Sequence, residues 1–231
     1  MGVKGFQGTS LLDYPGHIAS LVFFGDCNLS CPFCHNPALV QDAGELEDYP
    51  LAALLEQLER RRSFIDGVVV SGGEPTLSRQ LLPLLRSVKA LGLLVKLDSN
   101  GLKPTVLKKV IWEGLADRIA LDLKTAPSRY TELHDGPVDP GALLESIALL
   151  QRGGVEVEYR TTCVPGLVGS EELQQLGALI QGAPNWVLQQ FVPRYCMDPA
   201  WREVSPYTAA QLEELAELAR QYVPQVMLRG L

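Results

Sequence analysis

The apolar positions of this chain fall into two alternating rhythms. Contiguous, largely β-branched runs cover residues 18–24, 67–71, 93–98, 118–124, 155–161 and 186–192, which predicts strands buried on both faces. Between them, residues 51–62, 79–91, 104–112, 141–151 and 171–181 carry apolar side chains three and four apart, and 208–222 repeats that spacing after the last run. This is the pattern of one buried helix face. Pro104 and Pro206 suit helix starts or the turns before them, and Gly92, Gly153 and Gly154 suit helix ends. Strands separated by helices of this length predict βαβ units and a parallel sheet, wound by right-handed crossovers into a barrel or an open doubly wound sheet.

The polar residues that interrupt the strands choose between these. Cys27, Cys31 and Cys34 follow the first run, Ser71-Gly72-Gly73-Glu74-Pro75 closes the second, and Asp98-Ser99-Asn100-Gly101 closes the third. Asp122-Leu123-Lys124 closes the fourth, Arg160 the fifth, and Gln189 and Gln190 lie in the sixth. Several strands contributing polar groups at their C-terminal ends is the habit of barrels, whereas an open sheet concentrates its site at one switch point. Six units are too few to close an eight-stranded barrel. The expected fold is therefore α/β, a partial (β/α)6 TIM-like barrel with a lateral opening. A single domain over 1–231 is expected: an N-terminal extension (1–16), the six-unit barrel (17–192), and a C-terminal helix and tail (193–231).

Charge narrows the function classes. With 27 acidic and 20 Lys and Arg residues, the net charge of −7 offers no basic surface for nucleic acid. The Arg60-Arg61-Arg62 cluster ends a predicted helix, where cations complement the helix dipole. No apolar run is long enough for a membrane span, and the N-terminus lacks the pattern of a signal peptide. A cytoplasmic, reducing location is expected.

The chemistry concentrates in GDCNLSCPFCHNP, where Cys-x3-Cys-x2-Cys supplies three thiolates from one loop. Structural zinc needs a second ligand pair, but Cys163 and Cys196 lie far apart. A disulfide framework would leave one of the five cysteines over. Two further cysteines are also too few for a second four-cysteine cluster. A cubic iron–sulfur cluster held by three thiolates keeps one iron open, and open coordination marks chemistry rather than structure.

With Phe33 before the third cysteine and Gly72-Gly73-Glu74-Pro75 at the second strand, the chain resembles the radical S-adenosylmethionine enzymes. CHN at 34–36, DSNG at 98–101, LDLK at 121–124 and RTTCVPG at 160–166 resemble the activases that install glycyl radicals. The opening GFQGTSLLDYPG (5–16) and LQQF (188–191) are similar to the activating proteins of anaerobic ribonucleotide reductase.

The resemblance implies one 4Fe–4S cluster on Cys27, Cys31 and Cys34, with S-adenosylmethionine chelating the open iron. Reductive cleavage then gives methionine and a 5′-deoxyadenosyl radical, which takes hydrogen from a glycine Cα. The implied partners are a glycyl radical protein, here anaerobic ribonucleotide reductase, and a flavodoxin or ferredoxin-type electron donor. For the cofactor it implies Phe33 near the adenine, or simply packed on the core, and Gly72 and Gly73 against the methionine part. Glu74 would hold the turn or bind the methionine ammonium. Lys124 would pair with the methionine carboxylate unless it is a surface lysine, and Arg160 would contact the methionine or ribose. Asp98, Ser99 and Asp122 would form an oxygen-rich site beside the cofactor carboxylate, with a monovalent cation as its implied occupant. His35 is expected to fix the loop, and His17 and His134 to be ordinary histidines. Cys163 and Cys196 are expected as cavity-bordering groups or inert thiols. Alternatives are an activase of pyruvate formate-lyase or another glycyl radical enzyme, a radical enzyme acting on a small metabolite through Gln189, Gln190 and Arg194, and a metal-binding module without turnover.

Overall fold

The computed structural model describes residues 2–231. Its eight strands form one sheet in chain order: β1 (Val3–Ser10), β2 (Ala19–Phe24), β3 (Gly67–Gly72), β4 (Leu94–Ser99), β5 (Arg118–Asp122), β6 (Glu156–Cys163), β7 (Asn185–Gln190) and β8 (Gln225–Arg229). Strands β2 to β8 are parallel and β1 is an antiparallel edge. The major helices are α2 (Leu51–Arg61), α3 (Leu81–Ala90), α4 (Pro104–Trp112), α5 (Pro140–Gln151), α6 (Ser170–Leu179) and α7 (Ala209–Ala219); a short α1 (Pro37–Gln41) follows the cysteine loop. Six βα units thus run from β2 to α7, and β1 and β8 are the two ends of an unclosed sheet. The architecture is the expected partial TIM-like barrel, open at the side.

Two segments differ from the sequence-based expectation. The extension over 1–16 contains β1, and the tail contains β8. Neither reads as a buried strand, because an edge strand buries only part of its surface: Gly5 and Gly8 interrupt β1, and β8 is five residues long with no fully buried position.

Successive strand residues point to opposite faces. The outer set, including Val22, Phe24, Val68, Val70, Val95, Leu97, Ile119, Leu121, Trp186 and Leu188, packs against the helices in one apolar core. On the inner face, Ala19, Leu21 and Val69 form a small apolar floor with Tyr14. Above that floor the inner face becomes charged at Lys96, Asp98, Asp122, Glu158 and Arg160. Helix ends are fixed locally: Asp139 accepts from the Gly141 N–H at the start of α5, and Thr208 and Gln211 cap α7 reciprocally. Among the described residues no helix is long and apolar enough to cross a membrane.

Candidate active site

A cavity of about 350 Å³ opens at the C-terminal ends of the parallel strands. Its walls include all three loop cysteines, Phe33, His35, Gly72, Gly73, Glu74, Asp98, Ser99, Asp122, Lys124 and Arg160. Every residue expected in the cofactor site therefore faces one space.

The cysteine loop enters from β2 through Asp26, whose φ of 66° is the sole positive value at a non-glycine among the described residues; Asp tolerates this left-handed region better than most side chains. The loop is tied down along its length. The Cys34 N–H donates to the Cys31 carbonyl (2.9 Å), and the Ser30 N–H donates to the Leu133 carbonyl (3.0 Å). Ser30 Oγ also pairs with His134 Nδ1 at 3.0 Å, so His134 braces this loop. Asn100 Nδ2 donates to Asn28 Oδ1 at 2.8 Å and lies 3.9 Å from the Cys27 sulfur. Burial pushes the Cys27 thiol up to about 11 and the Cys31 thiol up to about 12, as desolvation disfavours a thiolate. Among the described residues no three Cys, His, Asp or Glu side chains gather closely enough for a single metal ion. A cubane places each thiolate on a different iron, so its ligands stand further apart than those of one ion.

Gly72 and Gly73 lock this loop to β3. A Cβ on Gly72, where φ is 122°, would lie 2.3 Å from the Phe24 carbonyl oxygen; one on Gly73 would lie 2.0 Å from that of Asp26. Their missing side chains admit the protein's own loop backbone. The Gly73 N–H then donates to Phe24 and the Glu74 N–H to Asp26, both at 2.8 Å.

Glu74 is 1% exposed. Its Oε1 accepts from the Thr76 N–H, the Thr76 hydroxyl and Ser99 Oγ, and its Oε2 accepts from the Asn100 N–H at 2.7 Å. Burial raises its pKa while these donors act against the rise. Of the two expected roles, the geometry matches holding the turn, because both oxygens are committed to binding the β3 and β4 ends together.

The inner face carries a ladder of ions. Lys96 Nζ meets Asp98 Oδ1 at 2.8 Å, while Ser71 Oγ (3.1 Å) and an Arg160 terminal nitrogen (3.2 Å) meet Oδ2. Arg160 Nε donates to Asp122 Oδ1 (2.8 Å), and Lys124 Nζ to Oδ2 (2.9 Å). Burial alone would raise both carboxyls, but Arg160, with Lys96 on Asp98 and Lys124 on Asp122, holds them well below the usual carboxylate range. Burial likewise pulls Lys124 down, and Asp122 with Cys31 outweighs it, leaving the ammonium firmly charged.

The expected oxygen-rich cation site is thus already bonded from within. All four carboxylate oxygens of Asp98 and Asp122 face side-chain donors, and Ser99 Oγ donates to Glu74 and accepts from the Gly101 N–H at 3.1 Å. The positive charge facing these oxygens is supplied by Lys96, Lys124 and Arg160.

Sequence reasoning gave no role to Lys96, Ser71, Asn28 or Asn100; the alternation Lys96–Asp98 within one strand was the available signal for the first. Phe33 is buried, borders the cavity and packs at a tilt on Trp201 with ring centres 6.5 Å apart. His35 is exposed at the cavity rim, and partial desolvation with the nearby Lys124 charge lowers its pKa against the opposing effect of the Val192 backbone. Gln189 borders the cavity, but Gln190 Nε2 is committed to the Tyr207 carbonyl at 2.7 Å, and Arg194 stacks beside exposed Tyr195. Cys163 and Cys196 are buried away from the cavity walls, and burial pushes Cys163 up to about 12, as expected of inert thiols.

Residues 21–176 match the description Radical SAM superfamily. A protein of Methanocaldococcus jannaschii that bears the name "Putative glycyl-radical enzyme activating enzyme" is 30% identical over 98% of this chain and 95% of its own length. The pyruvate formate-lyase-activating enzyme of Clostridium pasteurianum is 27% identical over 84% of this chain and 82% of its own length. Among solved structures, Streptococcus suis SuiB bound to precursor peptide SuiA superposes with a TM-score of 0.69 at 16% identity, over 91% of this chain and 48% of that one. This chain therefore spans about half the length of that protein, and the likeness concerns the fold. The chain belongs to the radical SAM superfamily, within its glycyl-radical-enzyme-activating group. It is an enzyme, a radical SAM oxidoreductase.

Proposed function

We propose that this chain generates a glycyl radical on anaerobic ribonucleotide reductase. The observation that carries the radical chemistry is the three-thiol loop, tied down by hydrogen bonds, lining the same cavity as the charged ladder. The similarity of residues 5–16 and 188–191 to activating proteins of that reductase supports the partner.

Cys27, Cys31 and Cys34 would hold a 4Fe–4S cluster, the donor chemistry that suits it best. When bound, the cluster supplies the single electron that splits S-adenosylmethionine into methionine and a 5′-deoxyadenosyl radical, which takes the glycine hydrogen. The chain's own residues bind, orient and shield. Lys124, at the ladder's end and partly open to the cavity, pairs with the methionine carboxylate. Arg160 holds Asp122, and hence Lys124, in place and borders the methionine or ribose. Phe33 presents an aromatic surface for the adenine. Gly72 and Gly73 bring the β3 backbone beside the cysteine loop, where the methionine part lies, while Glu74 and Ser99 fix that turn and Asp98 anchors Arg160. A flavodoxin or ferredoxin-type protein is the electron donor, and the lateral opening admits the partner's glycine loop.

The test is electron paramagnetic resonance of the reconstituted, reduced protein with S-adenosylmethionine and anaerobic ribonucleotide reductase from the same source. A glycyl doublet that disappears with Cys31→Ala is expected. Accumulation of 5′-deoxyadenosine without a doublet would reject this partner. Pyruvate formate-lyase is then the second reading, favoured by the similarity to the Clostridium pasteurianum activating enzyme.

A further inference from the structure

We infer that Lys96 serves as a built-in cation of the substrate site, so that this chain binds S-adenosylmethionine without a monovalent metal ion. The inference rests on the S-adenosylmethionine reading above. It begins from a residue that no part of that reading uses. Lys96 sits mid-strand in β4 and is 1% exposed, although lysine is almost never fully buried unless paired. Its ammonium meets Asp98 Oδ1 at 2.8 Å, the carboxylate oxygen left over by Ser71 and Arg160.

Charge counting supports the assignment. The ladder joins three cations, Lys96, Lys124 and Arg160, to two anions, Asp98 and Asp122, while Glu158 on the same face pairs with Arg229. The surplus is one positive charge. It matches one incoming carboxylate, received at Lys124, the most exposed cation of the three (24% against 1% and 12%). With that carboxylate bound, a metal cation would leave one uncompensated positive charge in a buried site, where unbalanced charge is strongly disfavoured. It would also need oxygen ligands, and the oxygens of Asp98, Ser99 and Asp122 are already hydrogen-bonded. Lys96 is thus a positioning residue. It neutralises Asp98, and Asp98 holds the Arg160 guanidinium that aligns Asp122 and Lys124.

Equilibrium dialysis of S-adenosylmethionine with the cluster-loaded protein tests this in tetramethylammonium, sodium and potassium chloride at equal ionic strength. The affinities should agree within about twofold; tightening by about tenfold or more in sodium or potassium, about 1.4 kcal/mol, would overturn the inference. Lys96→Met should weaken binding in tetramethylammonium by about tenfold or more and regain part of it in potassium, and unchanged, salt-insensitive binding by this variant would equally overturn it. Thallous-ion NMR of the wild-type protein provides an arm that needs neither the variant nor bound substrate. No saturable thallous-ion binding is expected, and saturable binding that Lys96→Met leaves unaltered would sink the inference. Absence of S-adenosylmethionine binding in every salt would instead remove the substrate reading and this inference with it.

Discussion

The two faces of one sheet solve opposite problems. On the outer face, strands and helices interlock through Val, Ile, Leu, Phe and Trp side chains; Trp186 Nε1 donates to Thr161 Oγ1 at 3.0 Å, while the buried Tyr159 hydroxyl is left without a hydrogen-bond partner among the described residues. On the inner face the same strands bury lysine, arginine and aspartate beside a cavity. The outer face gains stability from area removed from water, a nondirectional contribution that tolerates conservative repacking. The inner face gains little net stability from its ion pairs, since desolvation opposes attraction, but losing one partner is expensive. The comparison teaches that the outer face holds the fold and the inner face holds the geometry.

The largest effect should come from breaking the ladder at its centre. Arg160→Met leaves Asp98 and Asp122 short of their shared cation and should cost about 3–5 kcal/mol at pH 7. In the wild type both carboxyl pKa values lie below their unfolded values, so their contribution is complete above about pH 4 and fades as pH falls towards the folded values. The gap between variant and wild type should therefore hold steady down to about pH 4 and narrow below it, measured by urea unfolding. Leu84→Ala, on the outer face, should cost about 2–5 kcal/mol with no such narrowing. If both penalties respond alike to pH, the distinction between the faces fails.

Gly73→Ala should cost about 1–3 kcal/mol, because its Cβ would meet the Asp26 carbonyl oxygen, and it should lower the iron retained after anaerobic reconstitution. Lys124→Ala sharpens the comparison within the inner face: S-adenosylmethionine affinity should fall about tenfold or more, a loss of about 1.4 kcal/mol of binding. Unchanged affinity in dialysis would remove Lys124 from the site. The smallest effect belongs to neither face. Separating the exposed pair Arg86–Glu113 by Arg86→Ala should change stability by less than about 1 kcal/mol.

Much of the fold was legible because the parallel strands are buried on both sides and read as continuous apolar runs. The edges were not: β1 and β8 bury only part of their surface, and their sequences carry no comparable run. The three thiols and the glycine pair were legible from spacing, since one loop must carry them. The partners of the oxygen-rich site were not legible along the chain. Asp98 and Asp122 look like free ligands along the chain, but Arg160, which pairs with both, is 38 residues beyond Asp122, and Lys96 looks like an ordinary strand residue until the pleat turns it inward. Glu74 was ambiguous for the same reason: Ser99 and Asn100, which commit its oxygens, lie 25 and 26 residues away.

The order of strands in the sheet has a consequence for how the enzyme is made. Each strand pairs only with its neighbours in the chain, so the sheet can grow from one end as the polypeptide leaves the ribosome, without waiting for distant segments. Asp98 and Asp122 are laid down with β4 and β5, and Arg160 arrives one strand later with β6. Until then the nascent chain carries two inward-facing carboxylates with only Lys96 and Lys124 to answer them. The arrival of β6 completes the ladder, so synthesis past that strand is the step at which the half-built barrel acquires its finished interior.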